Sequence, residues 1–348
     1  MRHRRVVATV LVVLALISAG CAGATGPEGP QGPTGPAGPQ GPPGEAAAEI
    51  DVSDLSCTEC HNDTTLIWSK EAQFRERSVH GTGEAFERGE NNANCAGCHG
   101  TEGAKARIDA GLPPHDPSVQ GITNVSPYDC RTCHQIHMTY TSADWTVTGS
   151  EQPVVLEMTG GTFDKGAANL CANCHQIRNE LPDADAETIT IDSARFGTHH
   201  GVEAQMLLGE GGLGVTGSPS PHYELTDEAC ITCHMGDERN HTYEPQVERC
   251  TTCHADIESF DLNGTQTEIR ALLDEVKALL IASGIMSADF EENGELQQNR
   301  SVPGDYPAAV VAALWNYMFV VEDQSMGVHN PAYAGALLEA AKAALQGS

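Results

Sequence analysis

The longest apolar run of this chain lies at its start. Val6–Ala19 is a largely apolar stretch of 14 residues behind Arg2, His3, Arg4 and Arg5. A membrane span needs about 20 such residues, so the run has the length of an export-signal core instead. No later segment approaches about 18 unbroken apolar residues, and no membrane-spanning helix is predicted after it. The other clear periodicity lies past residue 260. Glu268–Ser283 places Ile269, Leu272, Leu273, Val276, Leu279 and Leu280 on one helical stripe, with Gly284 as its end. A second helix is predicted from Asp305 through Leu314, Trp315, Met318 and Phe319. A third starts at Asn330-Pro331, with asparagine as N-cap and proline at the first helical position, and turns Leu337, Leu338 and Ala341 inward. Residues 261–348 thus read as a helical hairpin plus a final helix that packs on what precedes it.

Two further segments punctuate the N-terminal region. Ser18-Ala19-Gly20-Cys21 resembles the cleavage box of bacterial lipoproteins, in which the cysteine becomes the lipidated N-terminus; Ser18 stands where leucine is usual. Residues 1–20 are therefore read as a lipoprotein-type signal and Cys21 as a lipidation site, holding the protein to a membrane through its anchor only. Ordinary cleavage after Ala22-Gly23-Ala24 would instead discard Cys21. Residues 26–44 repeat glycine at every third position, mostly followed by proline, which is the collagen period. As polyproline II this spacer spans roughly 60 Å at about 3.1 Å per residue. Triple-helical trimerisation and a semi-rigid stalk both fit such a sequence, and six triplets favour the stalk. The anchor and spacer occupy 21–49.

Charge narrows the partners. The 348 residues hold 19 basic and 48 acidic side chains, a net of −29, and removal of Arg2, Arg4 and Arg5 with the signal leaves −32. Nucleic acid and anionic lipid surfaces are poor partners for such a chain. Aromatic residues are only 5%, so a large aromatic core is not available.

Thirteen cysteines exclude a fully paired disulfide framework. Twelve of them fall into six C-x-x-C-H motifs: Cys57, Cys60 and His61; Cys95, Cys98 and His99; Cys130, Cys133 and His134; Cys171, Cys174 and His175; Cys230, Cys233 and His234; Cys250, Cys253 and His254. This is the attachment signal of c-type haem: two thiols three positions apart add to the vinyl groups of one porphyrin, and the next histidine ligates its iron. Zinc ribbons and disulfides also use C-x-x-C pairs, but neither needs a histidine after every second cysteine. Six covalently bound haems c, each with its iron, are expected, with His61, His99, His134, His175, His234 and His254 as proximal ligands. Cys57–His254 offers 33 residues per haem, too few to isolate each one, so the haems themselves must supply much of the core. The predicted fold is mainly α with much irregular loop and little β, wrapped around a haem chain, with a hexahaem domain over 50–260.

Eight histidines remain after the proximal six and His3. His80, His137, His200, His222, His241 and His329 are the expected distal ligands. His200 is ranked ahead of its neighbour His199, and His115 is open as ligand or surface residue. Methionine ligation would raise the potential, but the histidine surplus makes it unnecessary.

The segments Cys130–His137, Arg195–Gln205, Ser220–His222, Cys230–Met235 and Trp315–Leu338 resemble the multihaem cytochrome c superfamily that includes the pentahaem nitrite reductases and the octahaem hydroxylamine and tetrathionate enzymes. The resemblance implies a distal-ligand role for His329, in its His-Asn-Pro element before the last helix. Six motifs depart from both five and eight, and the lysine-ligated catalytic motif of many nitrite reductases is missing. In haem number the chain also resembles the hexahaem subunits of extracellular cytochrome filaments. The expected function is electron transfer by an exported, surface-anchored or periplasmic carrier, with other redox proteins or extracellular acceptors as partners and no catalytic residues. The alternatives are a reductase or oxidase of nitrogen or sulfur compounds, and a filament subunit self-associating through the spacer or through stacked haems.

Overall fold

Why the three C-terminal helices form is plain from their faces. In a computed structural model describing residues 66–91, 95–117, 122, 124–288, 290–292, 295–297 and 300–347, helix α1 (Thr265–Ala282) buries Ile269, Leu273, Val276 and Leu280. Helix α2 (Ala308–Glu322) is apolar nearly all round and is buried on most sides. Helix α3 (Pro331–Gly347) buries Tyr333, Ala334, Leu337, Leu338, Ala341 and Leu345. An all-round apolar helix must be covered on most sides, and α2 is, packing on α1, on α3 and on the chain at 188–191 and 304–307, while α1 and α3 also pack on each other. Gly284 closes α1 at φ 78°, a conformation that glycine adopts without a Cβ penalty. Asn330 caps α3, its Oδ1 accepting from the Tyr333 amide at 3.2 Å.

The second helix starts later than its apolar pattern predicts. Residues 304–307 form a strand paired antiparallel with Thr188–Ile191, and the helix begins only at Ala308. Pro307 is the reason: the residue before a proline is pushed out of the α region into extended backbone, so Tyr306 cannot join a helix. Sheet is otherwise confined to two more two-stranded ribbons, so the described chain is mainly helix and irregular loop with little β.

The helical layer grips the loops that precede it. The Trp315 indole N–H donates to the Gly211 carbonyl at 2.8 Å. The buried Asn316 amide accepts from the Leu213 N–H at 2.8 Å and donates to its carbonyl at 3.0 Å. Asn330 Nδ2 donates to the carbonyls of Met206 and Ser218. Trp315→Ala removes a side chain that is 1% exposed. It is expected to cost about 3–5 kcal/mol of stability, read as a lowered midpoint in thermal denaturation followed by far-ultraviolet circular dichroism.

Burial is far thinner elsewhere. A second apolar cluster, including Leu156, Phe163, Ala172, Leu207 and Ile231, surrounds the Cys171 and Cys230 motifs. Among the described residues of 66–150, the buried apolar side chains are Phe74, Ala96, Cys98, Ala104, Ile108 and Val125. The signal segment 1–20, Cys21, the 26–44 spacer and the first motif, Cys57, Cys60 and His61, lie outside the described residues.

Candidate functional site

Each of the five described C-x-x-C-H motifs is a single tight turn. The amides of His99, His134, His175 and His254 each donate to the carbonyl of the first cysteine of their motif, all at 2.8 Å. The fifth motif is itself the short helix Cys230–His234. Positions i, i+3 and i+4 of such a turn share one face, so two sulfurs and one imidazole are presented together. At the Cys130 turn the cap is explicit: Asp129 accepts from the Arg131 amide, and Thr132 Oγ1 accepts from the Asp129 amide. The ten cysteines of these motifs are all free thiols. Sulfurs of neighbouring turns approach one another, Cys98 with Cys174 and Cys171 with Cys230.

Across from every described motif histidine stands a second histidine. The ring centres of His175 and His80 are 6.0 Å apart, those of His134 and His241 6.2 Å, those of His254 and His222 6.2 Å, and those of His234 and His329 6.3 Å. His99 faces two neighbours, His199 at 6.3 Å and His200 at 6.2 Å. The nitrogens of these three lie within 4.8 Å of one another.

The far side of most of these rings is tied down. Nδ1–H donates to a backbone carbonyl in His134 (Trp145, 2.9 Å), His234 (Tyr243, 2.8 Å), His241 (Arg239, 2.7 Å), His222 (Val328, 2.7 Å) and His199 (His200, 2.8 Å). Two rings meet carboxylates instead: His175 with Glu203 Oε2 at 3.0 Å and His329 with Asp323 Oδ1 at 2.7 Å. A proton fixed on Nδ1 leaves the Nε2 lone pair free to bind a metal. Burial pushes His99 and His199 down to about 4 and also lowers His134, His234 and His241. These imidazoles are neutral at neutral pH, as metal ligation requires. Glu203 raises His175 to about 9. At His329 burial lowers the value, but Asp323 and Glu203 together outweigh it and the net direction is up.

Two of the candidate histidines face no described motif histidine. His137, at φ 62°, stacks on Tyr140 with ring centres 5.3 Å apart, and its amide donates to Asp144. His115 Nδ1 is bonded to Glu157 Oε2 at 2.7 Å. The sixth motif histidine, His61, is not among the described residues. Sequence reasoning missed Glu203, Asp323 and Arg107. Glu203 lies four residues after His199, but nothing in that spacing points to His175.

No family model and no curated protein matches this chain. Among solved structures, it is similar to the outer cell wall cytochrome OcwA, with TM-score 0.49 and 21% identity over 79% of this chain and 50% of that one. It is also similar to an undecahaem cytochrome from the S-layer of Carboxydothermus ferrireducens, with TM-score 0.44 and 17% identity over 77% of this chain and 40% of that one. The chain spans about half the length, or less, of these two structures.

Proposed function

We propose that this chain is a multihaem c-type cytochrome that binds six haems c and relays electrons between redox partners. The observation that carries the reading is the spacing of the histidine pairs. A metal–imidazole bond is about 2.0 Å and the ring centre lies about 1.1 Å behind the ligating nitrogen, so two rings on opposite sides of one iron stand about 6.2 Å apart. Five pairs stand at 6.0–6.3 Å, each with one member directly after a C-x-x-C turn of free thiols. The thin core of 66–150 fits the same group, because bound porphyrin would supply the apolar contacts missing there.

The residues take these roles. The twelve cysteines from Cys57 to Cys253 tether, and the histidine after each pair ligates proximally. His80 is the distal ligand opposite His175, His241 opposite His134, His222 opposite His254 and His329 opposite His234. His137 is retained as a distal ligand on its sequence context alone, and His115 stays open as ligand or surface residue. Opposite His99 the favoured ligand is His199: its Nδ1–H is held by a carbonyl, and its backbone is kept at φ 65°, a strained setting retained where surroundings over-determine it. That reverses the order expected from sequence. Each haem, when bound, supplies an iron that takes up and returns one electron. At the five irons so paired, two imidazoles leave no position for substrate, which favours a carrier over a catalyst. Export, anchoring through Cys21 and transfer to other redox proteins or extracellular acceptors complete the proposal.

The test is made on the exported holoprotein. Intact mass and the pyridine haemochrome assay should return six haems per chain, and electron paramagnetic resonance should show low-spin iron that ignores carbon monoxide when reduced. Bound zinc in place of haem would overturn the cofactor reading, and a native high-spin signal would overturn the carrier reading. The ligand order has its own check: His199→Met should change the low-spin signal of one haem, whereas His200→Met should leave all six unchanged.

A further inference from the structure

Arg107 is buried where a charge is costly. It lies on the helix Thr101–Asp109 and is 0% exposed. Its Nε donates to the Gly97 carbonyl at 2.8 Å, Nη1 to the Leu112 carbonyl at 3.2 Å and to Asn173 Oδ1 at 3.4 Å, and Nη2 to the Asn173 carbonyl at 2.9 Å. Nη2 also reaches Cys174 Sγ at 3.5 Å and Cys98 Sγ at 4.0 Å. The oxygen partners are all neutral, and in the haem reading both sulfurs are thioethers and neutral as well. A buried cation without a carboxylate is unfavourable, and a neutral side chain could join the two turns at lower cost. The two sulfurs belong to different motifs, and in the haem reading they are attachment points of two different haems. A fixed positive charge at that point favours the less positive iron, which is the reduced one.

We propose that Arg107 is a built-in electrostatic bias that raises the reduction potentials of the haems at Cys95–His99 and Cys171–His175 above the values their ligands alone would set. The inference rests on the haem reading given above. The step it acts on is the one-electron reduction of each ferric iron to ferrous, the electron coming from a low-potential donor protein.

The test is a spectroelectrochemical titration of the holoprotein, with dithionite as reductant, beside an intact-mass count of haems. In Arg107→Gln, two of the six one-electron steps should move to lower potential and four should stay. In Arg107→Lys, which keeps the charge, all six should stay. The inference is overturned if Arg107→Gln moves no step, moves all six alike, or if Arg107→Lys moves the same two as far. Should Arg107→Gln fail to mature with six haems, Asn173→Asp carries the test: it leaves Arg107 in place and sets a carboxylate against it. The same two steps should then fall, and unmoved steps would again overturn the inference. A wild-type count below six refutes the haem reading instead, so the two failures are distinguishable.

Discussion

His80→Ala is expected to turn one haem of six from a saturated low-spin centre into a high-spin centre that binds carbon monoxide. His80 sits in the short helical turn Val79–Thr82, which Ser78 caps by accepting from the His80 amide at 3.1 Å. Its ring stands 6.0 Å from His175 and is flanked by Tyr243 at 5.1 Å and Tyr128 at 5.9 Å. Truncation removes the only imidazole the described residues bring opposite His175. Burial pushes both phenols above their ordinary range, which opposes their replacing it as anionic ligands, and Tyr128 already donates to the Cys98 carbonyl. Optical spectra of the reduced chain under carbon monoxide should show about one sixth of the haem reacting, against none in the parent, and electron paramagnetic resonance should show a new high-spin signal. Six unreactive haems in the variant would mean that another residue ligates opposite His175.

How much of this was legible in the sequence divides by the range of the interaction. The C-x-x-C-H turns are local, four residues from first cysteine to histidine, and residue order alone fixes which groups share a face. The helices after residue 260 are legible for the same reason, their apolar stripe repeating at the helical period, and the one shifted start traces to Pro307, which holds Tyr306 in extended backbone. The pairings across each candidate iron are another matter. His175 and His80 are 95 positions apart, as are His329 and His234, and nothing local to either records its partner. The Nδ1 acceptors are mostly backbone carbonyls, which every residue possesses, so the sequence carries no mark of them. Arg107 reads as one more charge in Ala104-Lys105-Ala106-Arg107; only the fold buries it. His199 and His200 have nearly identical neighbours in sequence, and the features that tell them apart, a single φ angle and one hydrogen bond, exist only in the fold.

Glu203→Gln should raise the reduction potential of the haem ligated by His175. The carboxylate accepts from His175 Nδ1–H at 3.0 Å and lies at the start of the helix Glu203–Leu208. Glutamine preserves the accepting oxygen and the length of the side chain, so the ring keeps its tautomer and only the charge is lost. A carboxylate behind a ligating imidazole makes it a stronger donor and favours ferric iron. Loss of such a partner typically changes metal equilibria by about 10–100-fold, which for one electron at about 59 mV per decade is an upward shift on the order of 60–120 mV. His329 also feels Glu203, so a smaller rise is expected at the iron between His234 and His329. Redox titration checks this, and a downward or absent shift at the principal step would refute it. Arg107 and Glu203 both contact the Cys171–His175 turn, with charges of opposite sign. Arg107→Gln lowers two steps, Glu203→Gln raises one strongly, and the step that responds to both is thereby assigned to Cys171–His175 without separating the haems chemically. If no step responds to both, either the guanidinium or the carboxylate does not act on that iron, and the unaffected variant shows which.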